Sequence, residues 1–218
     1  MIGQFRLLVF DWDGTLADSE AQIIAAMQMA IEEMDAAQRT DDDIRNIIGL
    51  GLNESVAALC PQMDRDEQHV LAEKYRQHYL LLSVEKIPLF PGVRETLQYL
   101  LDQGYLLAVA TGKSRRGLDR SLQETELDEF FHTSRCADES ISKPHPQMLQ
   151  EIMDTLDVGP ANALMIGDSE YDLQMAINAD TASVAVSYGT QRIERLLQYK
   201  PLTCLHSLYE LQNWLANP

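Results

Sequence analysis

The feature that most constrains the fold is Leu7-Leu8-Val9-Phe10, an unbroken apolar run stopped at once by Asp11, with Asp13, Gly14 and Thr15 close behind. A short run without polar alternation predicts a strand buried on both faces, as in a parallel sheet covered by helices on each side. In such open sheets ligands are met just beyond the carboxyl ends of the strands. Asp11 stands at that end, and Asp13 has the spacing to turn toward the same point. Two carboxylates that close repel unless a cation lies between them or one holds a proton. Asp-Gly is also an ordinary turn dipeptide, so a chemical reading needs support elsewhere in the chain.

The same pattern recurs. Tyr105–Ala110 is a second apolar run, ending in Thr111-Gly112-Lys113-Ser114, with a helix from Ser114 to about Glu126. A hydroxyl at a strand tip, followed by Gly and a helix N-terminus, suits a phosphate oxygen. Ala163–Ile166 runs into Gly167-Asp168-Ser169-Glu170-Tyr171-Asp172, where Asp172 falls one helical turn beyond Asp168 on the same face. Ser183–Val186 makes a further strand; Phe130–Ala137 is a poor one by periodicity, and a short one lies around Thr203–Leu205. Helices are predicted at Val93–Gln103, Pro146–Leu156, Thr190–Gln198 and Ser207–Leu215. Such alternation implies a parallel sheet with right-handed crossovers. Lys143, in Ser142-Lys143-Pro144-His145-Pro146, falls near the start of the helix Pro146–Leu156. Cations are disfavoured there by the helix dipole, so this Lys calls for an anionic partner.

Between Ala17 and Lys86 the periodicity is helical throughout. Ser19 and Gln22 have capping-box spacing at the start of the first helix. A short helix is predicted from Asp41 to Ile48, then a Gly49-Leu50-Gly51-Leu52 loop. Asn53 is expected to cap a helix through Leu59, and a longer helix follows from Arg65 to Leu82. This stretch is long enough for a small helical domain inserted after the first strand, with Ile87–Gly92 as the return linker.

Charge narrows the partners. A net charge of −17 over 218 residues is the opposite of a nucleic-acid footprint and disfavours acidic membrane surfaces. An anionic substrate would need a local cation, from a metal or from specific Lys and Arg residues. No apolar run approaches a membrane span, and the first residues lack a signal-peptide layout, so a cytoplasmic location is expected. Cys60, Cys136 and Cys204, without a Cys-x-x-Cys, read as free thiols in a reducing compartment.

Four motifs now stand in order: Asp11-Trp12-Asp13-Gly14-Thr15, Thr111, Lys143-Pro144 with a second Pro at 146, and Gly167-Asp168 with Asp172. Together they resemble the haloacid dehalogenase-like hydrolases, mostly phosphatases, and among these the phosphoglycolate phosphatase-like members. Trp12 replaces the usual Phe or Leu, and Asp180 a common Gly. The resemblance covers nearly the whole chain. It implies an α/β, Rossmann-like parallel sheet of strand order 3-2-1-4-5 with an inserted all-helical cap. The core would comprise residues 1–16 and 89–218 and the cap residues 17–88, hinged near Ala17 and Pro88.

The resemblance further implies Mg²⁺ held by Asp11, the backbone carbonyl of Asp13 and Asp168, with Asp172 largely supporting. Asp11 would be the nucleophile that forms an aspartyl-phosphate, and Asp13 the proton donor and acceptor. Thr111, Gly112 and Lys143 would bind the phosphoryl oxygens. In the cap, Gly49 and Gly51 would meet the leaving group together with Arg45 and Asn46. The expected activity is hydrolysis of a small phosphorylated metabolite, by a monomer or weak homodimer. A β-phosphoglucomutase-like phosphosugar mutase is the alternative. Dehalogenases lack the second Asp of the first motif, and phosphonate hydrolysis needs a cap Lys that is absent from Ala17 to Glu73. A binding protein that had lost the chemistry should have lost one of these acidic or Lys positions, and all are intact.

Overall fold

The structure is a computed structural model that describes residues 4–82 and 87–216. The last residues of the predicted helical insertion (83–86) and the chain ends of the predicted core (1–3 and 217–218) lie outside the described residues. In chain order the elements are β1 (Leu7–Phe10), α1 (Glu20–Glu33), α2 (Asp41–Arg45), α3 (Leu52–Leu59), α4 (Arg65–Leu82), α5 (Val93–Asp102), β2 (Leu106–Thr111) and α6 (Arg115–Thr125). Then come β3 (Thr133–Cys136), α7 (Gln147–Leu156), β4 (Ala163–Gly167), α8 (Glu170–Asn178), β5 (Ala182–Val186), α9 (Ile193–Leu196), β6 (Cys204–Leu205) and α10 (Tyr209–Ala216). No helix among the described residues is long and apolar enough to cross a membrane.

The six strands lie in the order β3-β2-β1-β4-β5-β6, and every pairing is parallel. The expected order 3-2-1-4-5 holds, and the short β6 extends it at one edge. The apolar strands alternate between two cores. Leu8, Phe10, Val109, Leu164 and Ile166 face one, with Leu97 and Leu100 of α5 and Leu211 of α10. Leu7, Val9, Ala108 and Met165 face the other, with Leu149 and Ile152 of α7 and Met175 of α8. Burial on both faces is why β1 shows no polar alternation. β3 sits at an edge, and only Cys136 of its four residues is buried, which explains its faint signal.

Helices α1 to α4 form a helical unit with its own apolar cluster, including Met27, Ile31, Ile44, Val56 and Leu71, separate from both sheet cores. The chain leaves β1 and returns side by side: Asp18 N–H donates to the Pro88 carbonyl at 2.9 Å and Phe90 N–H to that of Leu16 at 2.9 Å. Phe10 is opposite Val109 of β2 and Ile166 of β4. Asp11 therefore lies one residue past that line, and Thr111 and Asp168 two residues past it. Three adjacent strand tips thus end together, at the point where the strand order reverses.

Candidate active site

The strand tips gather three carboxylates. Oxygens of Asp11, Asp168 and Asp172 all lie within 4.8 Å of one another, and all three side chains are buried. Lys143 reaches into the cluster. Its Nζ is 2.5 Å from Asp11 Oδ1 and 2.6 Å from Asp172 Oδ1, inside an almost wholly enclosed site. These are the anionic partners that its position before α7 calls for; its peptide bond to Pro144 is cis. Burial works against the Lys143 charge, but Asp11 and Asp172 outweigh it and hold the ammonium above its usual range.

Each Asp has a distinct environment. Asp172 closes a capping box on α8: Oδ2 accepts from the backbone N–H and hydroxyl of Ser169, while Oδ1 serves Lys143. Both its oxygens are thus engaged. Asp168 accepts from the Thr15 hydroxyl at 3.1 Å and from the N–H and hydroxyl of Thr190, each at 2.7 Å. Burial, and then the charge of Asp172, push its carboxyl up to about 6, against the pull of the Thr190 and Thr15 hydrogen bonds. Burial also drives the Asp11 carboxyl well above the ordinary range; Lys143 opposes this, and Asp172 and Asp168 add to it. Asp11 Oδ2 is buried and accepts no hydrogen bond from any described residue.

That orphaned oxygen tests whether a metal fits. Three buried carboxylates against one ammonium leave uncompensated negative charge, which is costly in a low-dielectric site. A hard divalent cation held by carboxylate oxygens satisfies both the charge and the orphan. Gly14 is required beside it: its φ is +85°, and a Cβ there would fall on the Asp168 carboxylate.

The Asp13 side chain is not part of this cluster. Its Oδ1 accepts from the Ser19 hydroxyl at 2.5 Å and lies 3.0 Å from Lys113 Nζ. Thr111 is fully buried at the tip of β2, and its hydroxyl accepts from the Lys113 N–H at 3.2 Å. Asp11 and Asp13 open into a cavity of about 370 Å³ between sheet and helical unit, walled by residues such as Ile48, Gly49, Leu50, Tyr79 and Gly112.

Not every expected residue arrives there. Arg45 is absent from the cavity wall. Its guanidinium is taken up by Glu20, at 2.7 Å, and by Asp42. Gly51 also stays outside the wall and donates its N–H to Ser142 Oγ at 2.7 Å. Asn46 is bound by the sheet unit, through Tyr171 and Arg195. Conversely, Ser19 and Lys113 contact Asp13, and Thr15 and Thr190 contact Asp168, without having been singled out for the site. For Thr15, Lys113 and Thr190 the available signal was a hydroxyl or a Lys within five residues of a strand tip; Ser19, nine residues past β1, showed only a cap spacing.

A family model described as haloacid dehalogenase-like hydrolase matches residues 8–186. Pyrophosphatase PpaX of Bacillus cereus (strain B4264) is 30% identical over 215 residues, covering 98% of each chain. A crystal structure described as a predicted phosphoglycolate phosphatase from Haemophilus somnus 129PT superposes with a TM-score of 0.88 at 26% identity, covering 98% of this chain and 99% of that one. A predicted phosphatase from Clostridium acetobutylicum, at 24% identity, shares the fold with a TM-score of 0.89 over 99% and 100% of the two chains. Motifs, sheet order and these matches agree, and the chain belongs to the haloacid dehalogenase-like hydrolases.

Proposed function

We propose that the protein is a Mg²⁺-dependent phosphatase that hydrolyses a small phosphorylated metabolite through an aspartyl-phosphate on Asp11. The observation that carries this reading is the buried cluster of Asp11, Asp168 and Asp172, with Lys143 on one Asp11 oxygen and the other orphaned. Nucleophile, metal ligands and phosphoryl-binding ammonium then share one point. The names of the relatives, a pyrophosphatase and a predicted phosphoglycolate phosphatase, support phosphate chemistry.

Asp11, the Asp13 backbone carbonyl and Asp168 would hold the ion, with Asp172 orienting Lys143 and closing the start of α8. Bound there, Mg²⁺ supplies positive charge that lets an anionic carboxylate approach an anionic phosphate. The Asp11 carboxylate attacks phosphorus, and the bond to the leaving oxygen breaks as Asp13 protonates it. Water then attacks the same phosphorus, Asp13 takes its proton, and the carboxylate of Asp11 is released. Lys143, Thr111 and the Gly112 backbone serve the equatorial oxygens, where charge accumulates in the transition state. The chain divides into a core of residues 1–16 and 89–218 and a cap of residues 17–88. The cap excludes water and reads the leaving group, with Gly49 at the cavity wall.

The test is a panel of phosphorylated metabolites with Mg²⁺ or a chelator, on wild type and Asp11→Asn. Phosphate release is expected from wild type with Mg²⁺ alone. The folded variant should fall by several orders of magnitude. Undiminished release in chelator would refute the metal assignment, and near-wild-type turnover by the variant would refute the nucleophile.

A further inference from the structure

Lys113 is the second enclosed ammonium among the described residues, and the reaction described above gives it no task. It lies two residues past the tip of β2, and its side chain is 9% exposed. Burying an ammonium is costly unless it is paired. Among the described residues its one carboxylate partner is Asp13, with Nζ 3.0 Å from Oδ1. A second partner comes from the helical unit: Nζ donates to the Tyr79 hydroxyl of α4 at 3.0 Å and sits 5.0 Å from the centre of the same ring. The backbone around it is held as well. Its N–H donates to Thr111 Oγ1 at 3.2 Å, and its carbonyl accepts from Ala137 N–H at 3.0 Å.

The contacts on Asp13 are one-sided. Lys113 and the Ser19 hydroxyl both engage Oδ1. No hydrogen bond from a described residue falls on Oδ2, and Asp13 lines the cavity. A carboxyl that must pass a proton to a leaving oxygen, then take one from water, needs one oxygen fixed and the other presented. We propose that Lys113 is a positioning residue for Asp13: braced by Tyr79 of the helical unit, its ammonium fixes Oδ1 and leaves Oδ2 to face the leaving oxygen. The proposal rests on Asp13 being the proton-transfer group of the phosphatase reading. It adds that this group is set by a residue whose own position depends on the seating of α4, so proton transfer and coverage of the cavity are coupled through one side chain.

The role predicts a leaving-group signature. Alkyl phosphates need the proton in the transition state, and nitrophenyl phosphate hardly does. In Lys113→Met, kcat on an alkyl phosphate should fall about 30-fold, a fraction of the roughly 10²–10⁴-fold that a complete proton-transfer contribution supplies, because Asp13 itself remains. On nitrophenyl phosphate it should fall less than about 3-fold, with KM little changed on either. Lys113→Arg should recover part of the alkyl rate. Tyr79→Phe should reproduce the same bias more weakly, which keeps the test alive if Lys113→Met fails to fold.

Asp13→Asn, run alongside, separates the two readings. If it shows the alkyl bias and folded Lys113→Met does not, Lys113 is no positioning residue and the acid/base reading stands. If Asp13→Asn loses both substrates equally, the acid/base reading falls and the proposal with it. A rise in KM alone in Lys113→Met would make Lys113 a substrate contact and overturn the proposal. A measurement without turnover checks the geometry. In metal-free protein treated with a lysine acetylating reagent and mapped by mass spectrometry, Lys113 should react far more slowly than exposed Lys200, and faster in Asp13→Asn. Equal labelling of Lys113 and Lys200 in wild type would overturn the contact.

Discussion

Asp168 sets a conflict between stability and chemistry. Its carboxyl is displaced upward, to about 6, by burial and by the neighbouring Asp172 charge. A carboxyl that binds its proton more tightly folded than unfolded stabilises the fold below its unfolded pKa. That contribution is lost as pH rises through the folded value. For the metal-free protein the window runs from about 4 to about 6, and a displacement of this size is worth on the order of 3 kcal/mol. The net charge of −17 also weakens the fold as pH rises, so the comparison must be between variants. In chelator, Asp168→Asn should melt higher than wild type at pH 7, with the gap closing by pH 4. It should also lose the Mg²⁺-induced rise in melting temperature expected of wild type. An Asn variant equally destabilised at pH 4 and pH 7 in chelator would mean that the Thr15 and Thr190 hydrogen bonds, not the buried charge, dominate at this position.

Elements were legible in the sequence where one force acts on them, and less so where two compete. Ser19 has the spacing of a helix cap, and it occupies the N-cap of α1. Yet its hydroxyl makes no cap bond: Ser19 has αR backbone, with ψ −1°, where a cap is usually extended, and the hydroxyl donates to Asp13 at 2.5 Å. Gln22, its expected partner, instead reaches the Tyr79 carbonyl on α4. Ser19→Ala should therefore behave as a site variant, with a rate loss larger on alkyl than on nitrophenyl phosphate. Removal of a cap would lower the melting point, by about 1 kcal/mol of stability, with no such bias; that outcome would return Ser19 to a structural role. The predicted helix Thr190–Gln198 shrinks to α9 for a similar reason. Thr190 spends its N–H and hydroxyl on Asp168, and the Gln191 side chain accepts from Glu170 N–H. Asp180, where the family commonly has Gly, takes a positive φ. The apolar strands followed from local pattern. Arg45 did not, since its pairing with Glu20 joins residues 25 apart on different helices. Periodicity carries no information about such pairs.

At the scale of the whole molecule, the helical unit is seated on the sheet by close backbone approach at glycines together with a few polar side-chain contacts. Gly112, at the tip of β2, leaves no room for a side chain: a Cβ there would press on the Leu50 carbonyl group and lie 2.9 Å from the Gly49 carbonyl oxygen. Gly51 gives its N–H to Ser142 at 2.7 Å, next to Lys143, and a Cβ on it would lie 2.9 Å from that of Ala137. A third seat is Asn46, whose carbonyl and side chain bind Tyr171 and Arg195. Leu52, one residue past Gly51, belongs to the cavity wall instead. Neighbouring residues at the start of α3 therefore divide seating from lining the cavity. Gly51→Val should lift the loop, so that kcat/KM falls for every phosphate ester in a graded panel while their ranking is preserved. The separate apolar cluster of the helices should keep the variant folded, with its melting point little changed. Leu52→Ala enlarges the wall and should reorder the panel toward bulkier leaving groups, at a cost of a few kcal/mol in packing at most. The two variants must differ in kind. If Gly51→Val reorders the panel and Leu52→Ala scales it uniformly, the loop reads substrate through Gly51 and the division drawn from the structure is wrong.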